Sequence, residues 1–262
     1  MTTAVVAQTG DDRVLAVVLD RAHARFFELT AAGVVELTSL RSPAMRGGKF
    51  HSDRQGGPGW GEHAYHDRIR EEERRHYAAI AEELERLQRL TGVTGFILAG
   101  PGGTGAALQR TLSPALAERV IGTAKLNPTE VTAPKVQAAI APLLRQHRLG
   151  AERTVVTTML EGLGTGRAEN GVRDVLRALA KGQVRVLLVR GGAQATGFRC
   201  ATSGRLVPSP ADCLGEGDPI PVSDLVAEAS AEARCQGAAI TVIRDPQAAK
   251  AVETLGALLR FG

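Results

Sequence analysis

Phe96-Ile-Leu-Ala99, followed at once by Gly100-Pro-Gly-Gly-Thr-Gly105, is the stretch on which the fold turns. A short apolar run bounded by glycine reads as a buried strand, and the Gly-rich run as a tight turn into a helix that extends through Leu116 and is distorted at Pro114. Upstream, Ile69, Tyr77, Ile80, Leu84, Leu87 and Leu90 recur at helical spacing through about residue 91. A long amphipathic helix therefore feeds the strand. Its run Glu71 to Arg75 falls on the outer face and reads as a solvated surface with internal ion pairs.

Further out, Val14-Leu-Ala-Val-Val-Leu19 is rich in β-branched residues and reads as a buried strand. Ala24 to Thr30 and Val34 to Thr38, joined by a Gly33 turn, read as two antiparallel strands of a meander. Downstream, Val120 to Leu126 is a further strand, and Thr132 caps a helix with Pro134 in its first turn. The alternation then restarts. Helices are expected at about 134–165 and 170–182, then the strand Val184-Arg-Val-Leu-Leu-Val189, a loop to about 222, a helix at 223–235 and the strand Ala239 to Ile243. A helix from Pro246 and a strand Ala257 to Phe261 close the chain. Strands separated by helices imply parallel connections and a sheet covered on both faces. The expected class is α/β in two α/β domains, 1–145 and 146–262, the first interrupted by a Gly-rich loop at 42–62.

That loop and the helix after it hold the scarce chemistry. Between Arg41 and Tyr77 lie the single Trp60, both tyrosines (Tyr65 and Tyr77) and His51, His63, His66 and His76. Arg41, Arg46, Lys49 and Arg54 face one acid, Asp53, and Gly56, Gly57, Gly59 and Gly61 surround Pro58 and Trp60. Ordering so much glycine costs backbone entropy and contributes no side chain to a core, so such a loop is kept for what it touches. A basic, aromatic-tipped loop suits phosphates and exposed bases.

Composition narrows the classes. Arginine outnumbers lysine 27 to 5, which favours planar pairing with phosphate or carboxylate, while the net charge of +4 is too small to argue for nucleic acid without the local cluster. The start MTTAVVAQTGDD has no export pattern and no apolar run reaches the length of a membrane span. Three cysteines, Cys200, Cys213 and Cys235, are too few and too odd in number for a disulfide framework, which points to a reducing cytoplasm. Cys235 falls on a helix face that reads as core.

Other motifs have plain readings. His63 and His66, near Glu62 and Asp67, have i,i+3 spacing without the third spaced ligand of a metal signature. Gly100 to Gly105 lacks the Lys-Ser/Thr of a nucleotide P-loop, so a tight strand–helix turn is favoured over a phosphate cradle. A small-molecule α/β enzyme with that turn as its anion site is the weakest alternative.

The order of these motifs resembles a known family. The strand and hairpin, the Gly-rich loop, the charged helix Arg68-Ile-Arg70…Arg74-Arg-His-Tyr77…Ile80-Ala and then Gly95-Phe-Ile-Leu-Ala-Gly-Pro101 are similar to the middle domain of the archaeal and eukaryotic peptide chain release factors and of Pelota. The second half resembles their C-terminal domain, with the small α/β/α fold of kink-turn-binding ribosomal proteins. The residues that carry this are Gly171-Val172, Ala180-Lys-Gly182, Val186 to Val189, Asp224-Leu-Val226, Ala231 to Gly237 and Leu255 to Phe261. The resemblance starts after the codon-reading domain of the release factors, so bacterial release-factor-like proteins lacking that domain are the expected relatives.

The resemblance implies a cytoplasmic factor that binds ribosomes and tRNA, works with a translational GTPase, and needs no cofactor, metal or membrane. Its oligomeric state stays open. In that family a Gly-Gly-Gln tip meets the ester of peptidyl-tRNA. Here the register of Arg68-Ile-Arg70 places Gly59-Trp60-Gly61 at the tip, and Gln55 precedes Gly56-Gly57 in reverse order. Two readings follow. In one, the loop is a non-catalytic probe for rescue or hibernation, touching RNA through Arg41, Arg46, Lys49, Arg54, Gly56, Gly57, Gly59, Trp60, Gly61 and Arg68. In the other, a peptidyl-tRNA hydrolase or tRNA-cleaving enzyme uses Gln55, His63 or His66 for proton transfer. Relatives carry a zinc ribbon where Cys200 and Cys213 stand, but Ser203 and Glu216 occupy the partner offsets, so a metal-free remnant is expected.

Overall fold

A computed structural model describes residues 13–30, 32–42 and 60–261, residues 60–66 and 68 by their backbone. They form two compact units that divide between Arg145 and Gln146.

The first unit is built on a five-stranded sheet of β1 (Val14–Leu19), β2 (His23–Thr30), β3 (Gly33–Arg41), β4 (Gly95–Ala99) and β5 (Val120–Ala124), in the order β3-β2-β1-β4-β5. The hairpin strands pair antiparallel, whereas β1, β4 and β5 run parallel. The helices are α1 (Trp60–Thr91), α2 (Thr104–Gln109), α3 (Pro114–Ala117) and, up to Arg145, the first part of α4 (Ala133–Gly162), whose remainder belongs to the second unit. Pro114 does more than distort: it cannot continue a helix from α2, and it starts α3 in its first turn, where its missing N–H is harmless.

All six residues of β1 are buried, because the strand is central and covered on both faces. Its side chains alternate between two layers with the period of a pleated strand. Leu15, Val17 and Leu19 pack with Phe96, Leu98 and the α1 stripe Tyr77, Ile80, Leu84 and Leu87. Val14, Ala16 and Val18 pack with Ile97, Ala99 and, from α4, Val136 and Ile140. Each fully buried side chain of this size contributes about 1.5–3 kcal/mol relative to exposure, so the stripe fixes the C-terminal half of α1. Its expected last member, Leu90, is 69 % exposed, since the i+4 step from Leu87 lands on Thr91.

After β1 the chain turns to β2 on one side, and after β4 it turns to β5 on the other. The carboxyl ends of β1 and β4 therefore flank a topological switch point, where α/β sheets open a crevice.

The second unit has a four-stranded sheet of β6 (Ala168–Asn170), β7 (Val184–Arg190), β11 (Ala239–Ile243) and β12 (Leu255–Leu259), in the order β11-β7-β12-β6. Only β11 and β7 are parallel; β12 pairs antiparallel with both neighbours, which corrects the expected all-parallel sheet. β12 can enter that way because a single 3₁₀ turn, Ala248–Lys250, stands where a helix from Pro246 is expected. Helices α5 (Val172–Ala180) and α6 (Leu225–Cys235) cover the sheet through Val175, Leu179, Leu225 and Ala229.

The stretch expected as a loop to about 222 holds a second, three-stranded sheet of β8 (Gly197–Cys200), β9 (Leu206–Val207) and β10 (Pro219–Val222), in the order β10-β8-β9. Cys200 and Cys213 are joined in a disulfide with a Cα–Cα separation of 5.3 Å. That overturns the reading of two unpaired remnants. The odd number of cysteines leaves Cys235, which is free and exposed rather than core.

Candidate nucleic-acid interface

β3 ends at Arg41, whose side chain is exposed, and the next residue is held twice. The Ser42 amide donates to Ala22 O at 2.8 Å, and Ser42 Oγ lies 3.1 Å from His76 Nδ1 on α1. The accepting carbonyl belongs to a tight β1–β2 turn. There, Asp20 Oδ1 accepts the amides of Ala22 and His23, each at 2.7 Å, and Asp20 N donates to His23 O. Burial works against the Asp20 charge, but those two amides and the His23 imidazole hold its carboxyl below the usual range.

His76 is 2 % exposed. Burial lowers its pKa, with the carbonyls of His23 and Asp20 and the Asp20 charge pulling the other way. Ser42 is thus pinned between a fixed turn and a buried, neutral ring. The composition of the segment points to His76 only as one of several histidines; its position just before Tyr77, where the buried stripe begins, is the signal that marks it as the inward-facing one.

The far end of the segment is carried elsewhere. α1 begins at Trp60, so three residues expected as the end of the loop are helical. Sixteen steps separate Trp60 from His76, a rise of about 24 Å at 1.5 Å per residue. Among the side chains described along that span, Asp67 and residues 69–75, none is buried. The first half of α1 is therefore a helical stalk outside the core of its own unit, and the Gly-rich segment joins the stalk's outer end to Ser42 at its root.

Without a core to hold it, the stalk is supported by side-chain pairs one turn apart. Arg70 bonds Asp67 at 2.7 Å, and Arg74 and Arg75 bond Glu71 at 2.8 and 2.9 Å. Hydrogen bonds from Arg74 and then Arg75 lower the Glu71 carboxyl to about 2. The solvated, internally paired face read from residues 71–75 is what stands here. These arginines are neutralised where they sit.

The expected contact residues fall into three groups. Arg41 lies at the root, beside a recess of about 310 Å³ shared with His23 and Arg25. Arg68 lies on the stalk about 12 Å further out, and Trp60, Gly61, His63 and His66 occupy its first turns. Arg46, Lys49, Arg54, Gln55, Gly56, Gly57 and Gly59 lie outside the described residues. Among the described residues no group of three His, Cys, Asp or Glu side chains gathers as a metal-ligand set.

The Gly100 to Gly105 turn is explained by packing. A Cβ at Gly100 would clash with Leu19 O and one at Gly105 would meet Leu98 O at 2.8 Å, while Gly102 and Gly103 have φ of 56° and 86°. The glycines let the turn sit against β1 and β4 and reverse direction.

With this arrangement in place, residues 13–165 match bacterial archaeo-eukaryotic release factor family 2. The chain belongs to that family. No curated protein matches it. Among solved structures, this chain is similar to a model of ribosome-bound archaeal Pelota and ABCE1, with 22 % identity, 98 % of this chain and 64 % of that one covered, and a TM-score of 0.57. It is also similar to S. cerevisiae Dom34, a translation termination-like factor involved in RNA quality control pathways and interacting with Hbs1, with 12 % identity, 95 % and 63 % covered, and a TM-score of 0.53. At these identities the likeness is one of fold. The chain spans a little under two thirds of the length of these structures. No described helix is long and apolar enough to cross a membrane.

Proposed function

We propose that this release factor family 2 protein is a cytoplasmic ribosome- and tRNA-binding factor that acts in rescue or hibernation without releasing the nascent peptide. The observation that carries this is the stalk. Arg70, Arg74 and Arg75 of the stalk are paired off, and the segment that precedes it in sequence, Arg41 to Arg54, carries four cations against one acid. Such a device suits insertion toward RNA phosphates and bases. The likeness to Pelota extends the proposal to a translational GTPase as delivery partner.

Peptide release needs a group that holds water against the ester carbonyl within hydrogen-bond reach. The chain contains no Gly-Gly-Gln, and Gln55-Gly56-Gly57 runs in the opposite order. The second reading, hydrolysis of peptidyl-tRNA or cleavage of tRNA, is favoured by one observation: His63 and His66 stand on the stalk's first turns, next to the segment that would reach the substrate.

The test is co-sedimentation with ribosomes combined with single-turnover release from ribosomes carrying peptidyl-tRNA. Wild type should pellet with ribosomes and release peptide at the background rate. Fast release that Gln55→Ala or His63→Ala/His66→Ala abolishes would replace this reading with the enzymatic one.

A further inference from the structure

A cleft of about 630 Å³ opens at the switch point, between the β1–β2 turn, the stretch of α1 around Tyr77 and the Gly-rich turn after β4. Asp20, Arg21, Glu73, Tyr77, Gly102 and Arg110 are among the residues that line it. Its volume is that of a small-molecule site.

The charges in this cleft are unevenly committed. Asp20 is occupied by the amides of Ala22 and His23 and by the His23 ring. Glu73 Oε1 accepts the Tyr77 hydroxyl at 2.8 Å, and no donor among the described residues reaches its Oε2. Arg21 and Arg110 are exposed and neither donates a hydrogen bond nor forms an ion pair among the described residues. Their guanidinium groups are therefore available to a ligand, unlike those of Arg25, Arg70, Arg74, Arg86, Arg153 and Arg205, which are paired. Both line the same cleft as Tyr77 and Glu73.

We infer that this cleft binds a nucleotide, with Arg21 and Arg110 on the phosphate and Glu73 Oε2 accepting from a ribose hydroxyl. Guanidinium forks match phosphate geometry, and a carboxylate oxygen with no donor is the complement of a sugar hydroxyl. Gly102 and Gly103 present a wall without side chains, and Pro101 and Ala107 supply apolar surface beside it. The nucleotide comes either free or as a residue of an RNA chain; the chemistry recognised is the same.

Isothermal titration of the full chain with AMP, with adenosine and with a six-residue single-stranded oligoadenylate tests this. AMP should bind saturably and adenosine far more weakly. Arg21→Gln/Arg110→Gln should weaken AMP by about a hundredfold, since each lost charge-assisted contact costs roughly tenfold or more. Glu73→Gln should weaken AMP while leaving the preference over adenosine. Oligoadenylate displaced by AMP would identify RNA as the source; AMP binding without oligoadenylate binding would identify a free nucleotide. Failure of both AMP and oligoadenylate to bind overturns the inference. So does unchanged AMP affinity in an Arg21→Gln/Arg110→Gln protein with wild-type circular dichroism. The cleft does not depend on the ribosome-binding reading: a variant with Arg41, Arg46, Lys49 and Arg54 replaced by Ala should bind AMP as wild type does.

Discussion

Ser42 Oγ lies 3.1 Å from His76 Nδ1, a contact across 34 residues that ties the root of the Gly-rich segment to the point where α1 enters its core. Ahead of His76 the helix is stalk; from Tyr77 onward it is buried stripe. The ring therefore sits at the junction of the part that would probe and the part that holds.

A pH dependence of stability follows. The folded His76 pKa lies below its ordinary value of 6.5, mainly through burial. As pH falls below that value the unfolded chain takes up the proton first, so stability is intact above it and declines as pH drops toward the folded pKa. Urea unfolding at about pH 7.5 and about pH 5.5, a range above most carboxylate titration, should show this decline for wild type. His76→Gln should be less stable at the higher pH by about 1–3 kcal/mol and show a smaller decline. Equal declines in the two proteins would remove His76 from the account.

The loop cations should set the salt dependence of binding. Binding to phosphates releases counterions, with a slope of about 0.7 per contact for single strands. Replacing Arg41, Arg46, Lys49 and Arg54 together by Ala should flatten the slope of log affinity for ribosomes or tRNA against log salt by up to about 3. Replacing Arg70, Arg74 and Arg75, which are paired to Asp67 and Glu71, should change it much less. If the stalk variant loses more slope than the loop variant, the charge that meets RNA has been placed on the wrong element.

Much of the fold is legible in the sequence where burial imposes a period. Val14 to Leu19 and Phe96 to Ala99 read as strands because central strands buried on both faces are continuous apolar runs, and Val184 to Val189 reads so despite the exposed Arg185. The three-stranded sheet at 197–222 does not read that way. Its strands are two to four residues long, β10 contains Pro219 and Pro221, and pairing across residues that are far apart in sequence decides it. The candidate interface divides similarly. Its cations and aromatic residues stand out as composition, but neither the stalk nor the Ser42–His76 contact has a local signal. Arg21 and Arg110 are 89 positions apart, and only the switch point of the sheet brings them to one cleft.

The disulfide makes a separate prediction. Cys200 and Cys213 are 0 % and 2 % exposed and close a short loop around β9, whereas Cys235 is free and exposed. Oxidised protein should show one reactive thiol in native buffer and three after reduction and unfolding. Linking residues 13 apart restricts the unfolded chain, so Cys200→Ser/Cys213→Ser should lose about 2–4 kcal/mol. Mass spectrometry finding all three thiols free in protein purified without reductant would refute the pairing.

Trp60 is the residue proposed to dock the stalk. It is the only tryptophan and begins α1, so it stands at the outer end of the helix, about 24 Å from the His76 anchor. The described side chains between it and His76 are not buried, and the buried stripe starts only at His76 and Tyr77. An aromatic ring at the tip of a basic element can stack on an unpaired base, a contact worth about 1–3 kcal/mol, or about 5- to 150-fold in affinity. Trp60→Ala should therefore weaken ribosome binding within that range without shifting the unfolding midpoint, and Trp60→Phe should restore most of it. Loss of stability with unchanged binding would mean that the ring pins its own segment to the protein. Peptide release should stay at background in all three proteins, because a stacking ring positions the stalk but supplies no group to activate water.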